Sequence, residues 1–410
     1  MWLWWTDGRV RQRGERRTIL DTTGAPTITT EIPGSFEWGV FHERHPKLIS
    51  QVLDTTPYTS AEQVTLQQLL VESTTGVLEP LPEKAHDRED WLAWGEHLYG
   101  RPWGELPFLW SESYFYRRLL EAVGYFGAGA WRGVDPFAPV KNAELTGPAV
   151  DEELSALADL TERPGDQQHD ALLVAALWGN RADLSFQLQK NAAAAEARSE
   201  GLLVDDSALL WSALSSQDNP IVCVVADNAG RELLADLALA DSLLTQRLAA
   251  EIVLYVKPHP YYVSDATMAD VLTVIQRLRT EPRPQIGRIG DRLWHAVRSG
   301  RLKVRTHRFF CAPLAFHDMP DELAAEFATA TMTLMKGDLN YRRLVGDRYW
   351  PATTSFNETV GYFPSPVAAL RTLKSEVVVG LTSEQFAELD ATGQRWRTNG
   401  RYALIQVRGE

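Results

Sequence analysis

Apolar residues recur at helical spacing through the first half of the chain. His45 to Leu53, Ala61 to Leu70, Ser111 to Val123, Val150 to Leu160 and Gln168 to Leu177 each carry such a stripe, which predicts amphipathic helices. Clusters such as Leu78-Glu79-Pro80-Leu81-Pro82 punctuate them. The alanine-rich stretch from Lys190 to Ser199 predicts a surface helix by propensity. Past about Gly201 the pattern changes. Ile221 to Ala226 is a short continuous apolar run, rich in valine, which suits a strand buried on both faces. Glu251 to Val256, Leu302 to Thr306, Thr331 to Met335, Glu376 to Val379 and Tyr402 to Val407 are further strand candidates. Helices are expected at Arg231 to Gln246, Ala266 to Leu278, Asp321 to Ala328 and Ser383 to Ala391. This alternation predicts an α/β fold with a mostly parallel sheet and helices on both faces. The expected organisation is a disordered extension over 1–32, basic from Asp7 to Arg17, then a helical domain over 33–200 and an α/β domain over 201–410.

Composition narrows the functional classes. The chain has 410 residues, 44% hydrophobic and 23% charged, enough for a sizeable core. A formal net charge of −13 disfavours nucleic acid and anionic membranes as partners. It leaves room for a small anionic substrate, because a local metal ion can dominate the field of a site. Two cysteines, Cys223 and Cys311, do not make a disulfide framework, so a reducing, cytoplasmic setting is expected. No apolar run reaches membrane-spanning length. The arginines near the start follow the apolar Met1 to Trp5 instead of preceding it, the wrong order for a secretory signal.

Open α/β sheets place ligands beyond the carboxyl ends of their strands. Asp227-Asn228-Ala229-Gly230 follows the valine-rich strand. Lys257-Pro258-His259-Pro260 and then Ser264-Asp265 follow the next. Lys336-Gly337-Asp338-Leu339-Asn340-Tyr341-Arg342 follows Thr331 to Met335, and Arg371-Thr372-Leu373-Lys374 follows Tyr362 to Leu370. Asp227, Asn228 and Asp265 offer only hard oxygen donors, which suit Mg²⁺ or Mn²⁺ and leave positions open for water and phosphate oxygens. Arg342 as a bidentate fork and Lys374 as a point charge are candidates for the remaining phosphate charge. Each cluster alone also fits a plain role. Asp227-Asn228 and Ser264-Asp265 are good helix N-caps, Lys336-Gly337-Asp338 a turn, and His259 a loop residue. Their convergence on one predicted sheet edge favours a site.

These segments resemble the damage-control phosphatase family, also catalogued as domain of unknown function 89. Asp227-Asn228-Ala229-Gly230-Arg231-Glu232 with Ala240-Asp241 downstream is similar to its signature. Trp178-Gly179-Asn180-Arg181-Ala182-Asp183-Leu184-Ser185, Val263-Ser264-Asp265-Ala266-Thr267 and Lys336 to Arg342 are similar to further motifs. Arg371-Thr372-Leu373-Lys374 is similar to the Arg-Thr-x-Lys motif of the branch containing acidic residue methyltransferase 1-like proteins. The resemblance runs from Gly34 to Val407; the stretch before Pro33 does not align with it. It implies a three-layer, Rossmann-like α/β/α sandwich with an N-terminal helical part. It implies Asp227, Asn228 and Asp265 as metal ligands, and Asp338, Leu339, Asn340, Tyr341, Arg342 and Lys374 as substrate-phosphate contacts. Glu232 would lie near the same site. Glu112 and Arg117 would reach a sugar from the helical part, and Asn180 sits in one of the matched motifs. The implied substrates are sugar phosphates such as fructose 1-phosphate, with Mn²⁺, Co²⁺ or Ni²⁺ preferred over Mg²⁺.

The expected reaction is metal-assisted phosphomonoester hydrolysis with Asp227, Asp265 and Lys374 at its centre. Water attack and a phospho-aspartate on Asp227 remain alternative routes. Methyl transfer from S-adenosylmethionine to carboxylates is a rival function that the resemblance also brings. The single glycine in Ala226-Asp227-Asn228-Ala229-Gly230 disfavours it, because cofactor loops of that kind are usually glycine-rich. A non-catalytic sugar-phosphate sensor is the other rival.

Overall fold

The computed structural model describes residues 24–179 and 201–409. Its centre is a seven-stranded sheet in the order β1-β7-β6-β5-β2-β3-β4. The strands are β1 Leu202–Asp205, β2 Ile221–Val225, β3 Glu251–Val256, β4 Leu302–Thr306, β5 Met332–Lys336, β6 Val367–Thr372 and β7 Ala403–Arg408. All neighbours are parallel except the antiparallel pair β6–β7. The helices used below are α1 His45–Thr55, α2 Ser60–Thr75, α3 Phe108–Ala122, α4 Pro148–Leu160, α5 Gly165–Trp178, α6 Gly230–Thr245, α7 Met268–Arg279, α8 Pro284–Ser299 and α9 Gly337–Val345.

Successive side chains of a strand point to opposite faces, and the central strand β2 is apolar at every position because both faces are covered. Val222 and Val224 of β2 join a core made with α4 to α8, through residues such as Leu154, Leu173, Leu233, Val271 and Leu293. Cys223 and Val225 point the other way, into a core shared with α1, α2, α3 and α9, through Ile49, Leu66, Phe115 and Leu344. The expected three layers are present. The boundary expected at residue 200 does not separate two cores, since helices before it cover both faces of the sheet.

The helices that follow the adjacent strands β2 and β5 lie on opposite faces: α6 in one core and α9 in the other. That divergence opens a crevice beyond their carboxyl ends. Three expectations change. Glu376 to Val379 is not a strand; the strand in this region is Val367–Thr372. The edge strand Leu202–Asp205 was not anticipated. Packing also begins before Pro33, since Ala25, Ile28 and Thr30 are buried and Thr29 bridges Pro107. The expected helix at Lys190 to Ser199 lies outside the described residues. Among the described residues, no helix is long and apolar enough to cross a membrane, and both cysteines are free and buried.

Candidate active site

Asp227 stands two residues beyond β2, and main-chain bonds tie its loop to the loop after β3. Ala229 N donates to Ser264 O at 2.6 Å and Ala266 N to Asp227 O at 2.9 Å, with Asn228 and Asp265 paired as an isolated antiparallel bridge. The two loops therefore run side by side. Asp227, Asn228 and Asp265 form one wall of a cavity of about 200 Å³. Asp338, Leu339 and Arg342 from α9, with Lys374 from the loop beyond β6, form a second wall. Phe36, Arg44, Glu112 and Tyr116 cover it from the N-terminal layer.

The carboxamide of Asn228 has a defined direction. Its Nδ2 donates to Asp227 Oδ2 at 2.9 Å and to Glu232 Oε2 at 2.8 Å, while its Oδ1 accepts from Ser264 Oγ at 2.5 Å. Glu232 is near the start of α6, behind this wall. Lys336 lies beside it, 3.9 Å from Glu232 Oε1 and 3.0 Å from Asp236 Oδ1, and also donates to the Ala176 carbonyl. Asp265 Oδ2 accepts from Tyr262 N at 2.9 Å.

Burial, with Glu232 and Asp265 close by, holds the Asp227 carboxyl well above the usual carboxylate range, although Lys257 and Lys374 oppose the shift. Burial likewise pushes Asp236 up to about 7 against the pull of Lys336. The wall thus concentrates more negative charge than its lysines offset. Two carboxylates and a carboxamide oxygen, crowded and under-compensated, fit a hard divalent cation. The set includes one asparagine; among the described residues, no group of three or more His, Cys, Asp or Glu side chains is placed to hold a metal.

The opposite wall divides the expected phosphate contacts. Lys374 is half-buried on the cavity and makes no hydrogen bond or salt bridge with its side chain among the described residues. Asp338 braces its loop: one carboxylate oxygen accepts from Arg371 Nε at 2.8 Å, Ser375 Oγ at 3.1 Å and Lys374 N at 3.3 Å. Burial opposes the Asp338 charge, yet Arg371 and Arg342 outweigh it and hold the carboxyl below its ordinary value. Arg342 lines the cavity with its fork already engaged. Its Nε and Nη2 donate to Asp347 at 2.7 and 2.9 Å, and Nη1 donates to Glu112 Oε2 at 3.2 Å. The fork expected to grip phosphate bidentately thus holds Asp347 and orients Glu112.

Three further residues expected at the site lie off the cavity. Residues four apart share a face of a helix, and those two apart do not. Asp338 and Arg342 therefore reach the cavity, while Asn340 is buried behind it, its Nδ2 donating to Ala226 O at 3.1 Å and Lys336 O at 2.8 Å. Tyr341 is also buried, its hydroxyl donating to Gln406 Oε1 at 3.0 Å. Arg117 is five positions from Glu112, about 140° around the helix, and cannot share its direction. It pairs instead with Asp87 at 2.7 Å and Glu121 at 2.8 Å. Asn180 lies outside the described residues. Sequence reasoning missed four lining residues, Phe36, Arg44, Tyr116 and Tyr262. Tyr116 was readable, since it lies four residues after Glu112. Arg44 closes a five-residue π-helical turn, Val40–Arg44, which leaves no clear periodic signal.

Comparison with known proteins places this chain among the damage-control phosphatases. The family model described as the damage-control phosphatase ARMT1-like domain matches residues 40–389, and the chain belongs to that family. Relatives named damage-control phosphatase ARMT1 include the Mus musculus protein, 30% identical over 93% of this chain and 98% of its own length. The Danio rerio protein is 29% identical over 93% and 96%, and the Homo sapiens protein 29% over 92% and 97%. A crystal structure of a DUF89 family protein from Pyrococcus horikoshii covers 91% of this chain and 98% of its own, with 15% identity and a TM-score of 0.48.

Proposed function

We propose that this chain is a metal-dependent phosphatase of phosphomonoesters in metabolite damage control, acting on sugar phosphates such as fructose 1-phosphate. The observation that carries the reading is the arrangement of Asp227, Asn228 and Asp265 across one small cavity from Lys374. Mn²⁺, Co²⁺ or Ni²⁺ is preferred and Mg²⁺ is accommodated. Such an ion, held by Asp227, Asn228 Oδ1 and Asp265, supplies Lewis acidity and charge neutralisation at the phosphoryl group.

The chain's own groups do the rest. Lys374 meets the equatorial phosphate oxygens and stabilises the charge that grows there. Asp338 keeps the Lys374 loop in place through Arg371, Ser375 and the Lys374 main chain. Glu112, oriented by Arg342, accepts hydrogen bonds from sugar hydroxyls, and the Tyr116 ring packs against the sugar. The Tyr116 and Tyr262 rings pack 4.6 Å apart, tilted by 33°, which stiffens that wall. Asp227 serves first as ligand; nucleophilic attack by its carboxylate is the competing route. Two buried free thiols suit a reducing, cytoplasmic setting. The reading is tested by phosphate release from a panel of phosphomonoesters by chelator-stripped protein, with and without restored metal.

A further inference from the structure

Behind the wall that carries Asp265 lies a buried ammonium that the chemistry above leaves unused. Lys141, on the short helix Ala138–Ala143, is 2% exposed. Its Nζ meets Asp135 Oδ2 at 2.6 Å and Asp270 Oδ2 at 2.8 Å. The same Nζ donates to the main-chain carbonyl of Asp265 at 3.3 Å. Asp270 Oδ2 also accepts from Thr267 N at 2.8 Å and Thr267 Oγ1 at 2.7 Å, part of the capping box that begins α7. One ammonium therefore grips the Asp265 turn twice, directly at Asp265 O and through Asp270 at Thr267. It fastens that turn to Asp135, in the segment between α3 and α4.

A buried ion cluster is weak evidence for stability in itself, because desolvation offsets the attraction. Here the third contact goes to the main chain of a cavity-lining aspartate, which gives the cluster a use beyond packing. Two carboxylates around one ammonium also leave the Lys141 charge itself compensated. Groups that orient metal ligands from behind act in this way.

We infer that Lys141 is a positioning residue for Asp265, holding its turn in the geometry that a divalent cation requires. The inference rests on the reading of Asp227, Asn228 and Asp265 as donors to that cation.

The experiment titrates Mn²⁺ into the chelator-stripped full chain, follows free Mn²⁺ by its paramagnetic resonance signal, and records the melting temperature of each preparation. Wild type is compared with Lys141→Met and Lys141→Arg. Arginine keeps the charge between Asp135 and Asp270 but moves the donor away from the Asp265 carbonyl. Both variants are expected to bind Mn²⁺ about 10- to 100-fold more weakly. Lys141→Arg should melt near wild type, and kcat at saturating Mn²⁺ should largely recover. A residue that only packs would lower the melting temperature and leave Mn²⁺ affinity unchanged. Wild-type Mn²⁺ affinity in a folded variant overturns the role of Lys141. Loss of the fold in both variants assigns the cluster to packing and overturns it too. No Mn²⁺ binding by wild type withdraws the cation reading itself, and this inference with it.

Discussion

Gly337 comes so close to Asp227 that a Cβ built on it would lie 1.8 Å from Asp227 Oδ2, and its φ is +80°. The first residue after β5 thus has no room for a side chain because the carboxylate after β2 occupies that space. Gly337→Ala should place a residue in a left-handed conformation that costs about 1–2 kcal/mol before any clash. It should also push Asp227 out of line, and a displacement on the ångström scale can cost about a hundred-fold in rate. The expected result is a lowered melting temperature and a larger fall in kcat/KM at a temperature where the variant is folded. Unchanged kinetics would remove Asp227 from the chemistry.

Lys374 offers a cleaner separation of catalysis from stability. It is half-buried, and truncating a side chain with no ion partner among the described residues leaves little cavity. Lys374→Ala should lower kcat/KM by roughly a hundred- to a thousand-fold, the scale of one lost contact to developing charge, with the melting temperature nearly unchanged. Lys374→Arg should recover little, because a planar fork does not replace a compact ammonium. Equal kinetics in all three proteins would make it a surface lysine.

These two residues stand out in the sequence to different degrees, and the difference is physical. Lys374 follows a strand end and carries a charge, so its type and place both signal a site. Gly337 was read only as part of a turn, because the carboxylate it accommodates is more than a hundred positions away in the chain. The apolar run Glu376 to Val379 reads as a strand, yet Val377, Val378 and Val379 are fully buried outside the sheet. Two of their carbonyls are satisfied by side chains instead of a ladder: Arg371 donates to Val377 O, and Gln406 Nε2 donates to Val379 O at 2.8 Å. Local pattern cannot show such long-range partners. For the same reason Arg342 reads as a phosphate ligand in sequence, while Glu112, 230 positions away, takes part of its fork.

The pH dependence of stability should carry a mark of Glu37. This glutamate lies beside the cavity-lining Phe36, and its carboxyl oxygens find no partner beyond its own main chain among the described residues. Burial pushes it from its ordinary 4.5 to about 7, with Glu376 and Asp347 adding to the shift and Arg342 opposing it. A carboxyl raised on folding contributes stability that is full below its unfolded value and is lost as pH rises through its folded value. Glu37→Gln should therefore match wild type below about 4.5 and become the more stable protein as pH passes about 7. Melting temperatures of both proteins across that window check the sign; a constant difference would mean that Glu37 titrates normally.

Phosphate release from fructose 1-phosphate by chelator-stripped protein, as metals are restored, tests the central claim most directly. Wild type is measured beside Asp227→Ala and Asp265→Asn. The account predicts no turnover in the stripped protein, with activity returning under Mn²⁺, Co²⁺ or Ni²⁺ and less under Mg²⁺. Asp227→Ala should stay inactive at every metal concentration, and Asp265→Asn should recover part of its rate only at higher metal. Full activity of the metal-free protein, or wild-type metal dependence in both variants, would contradict it.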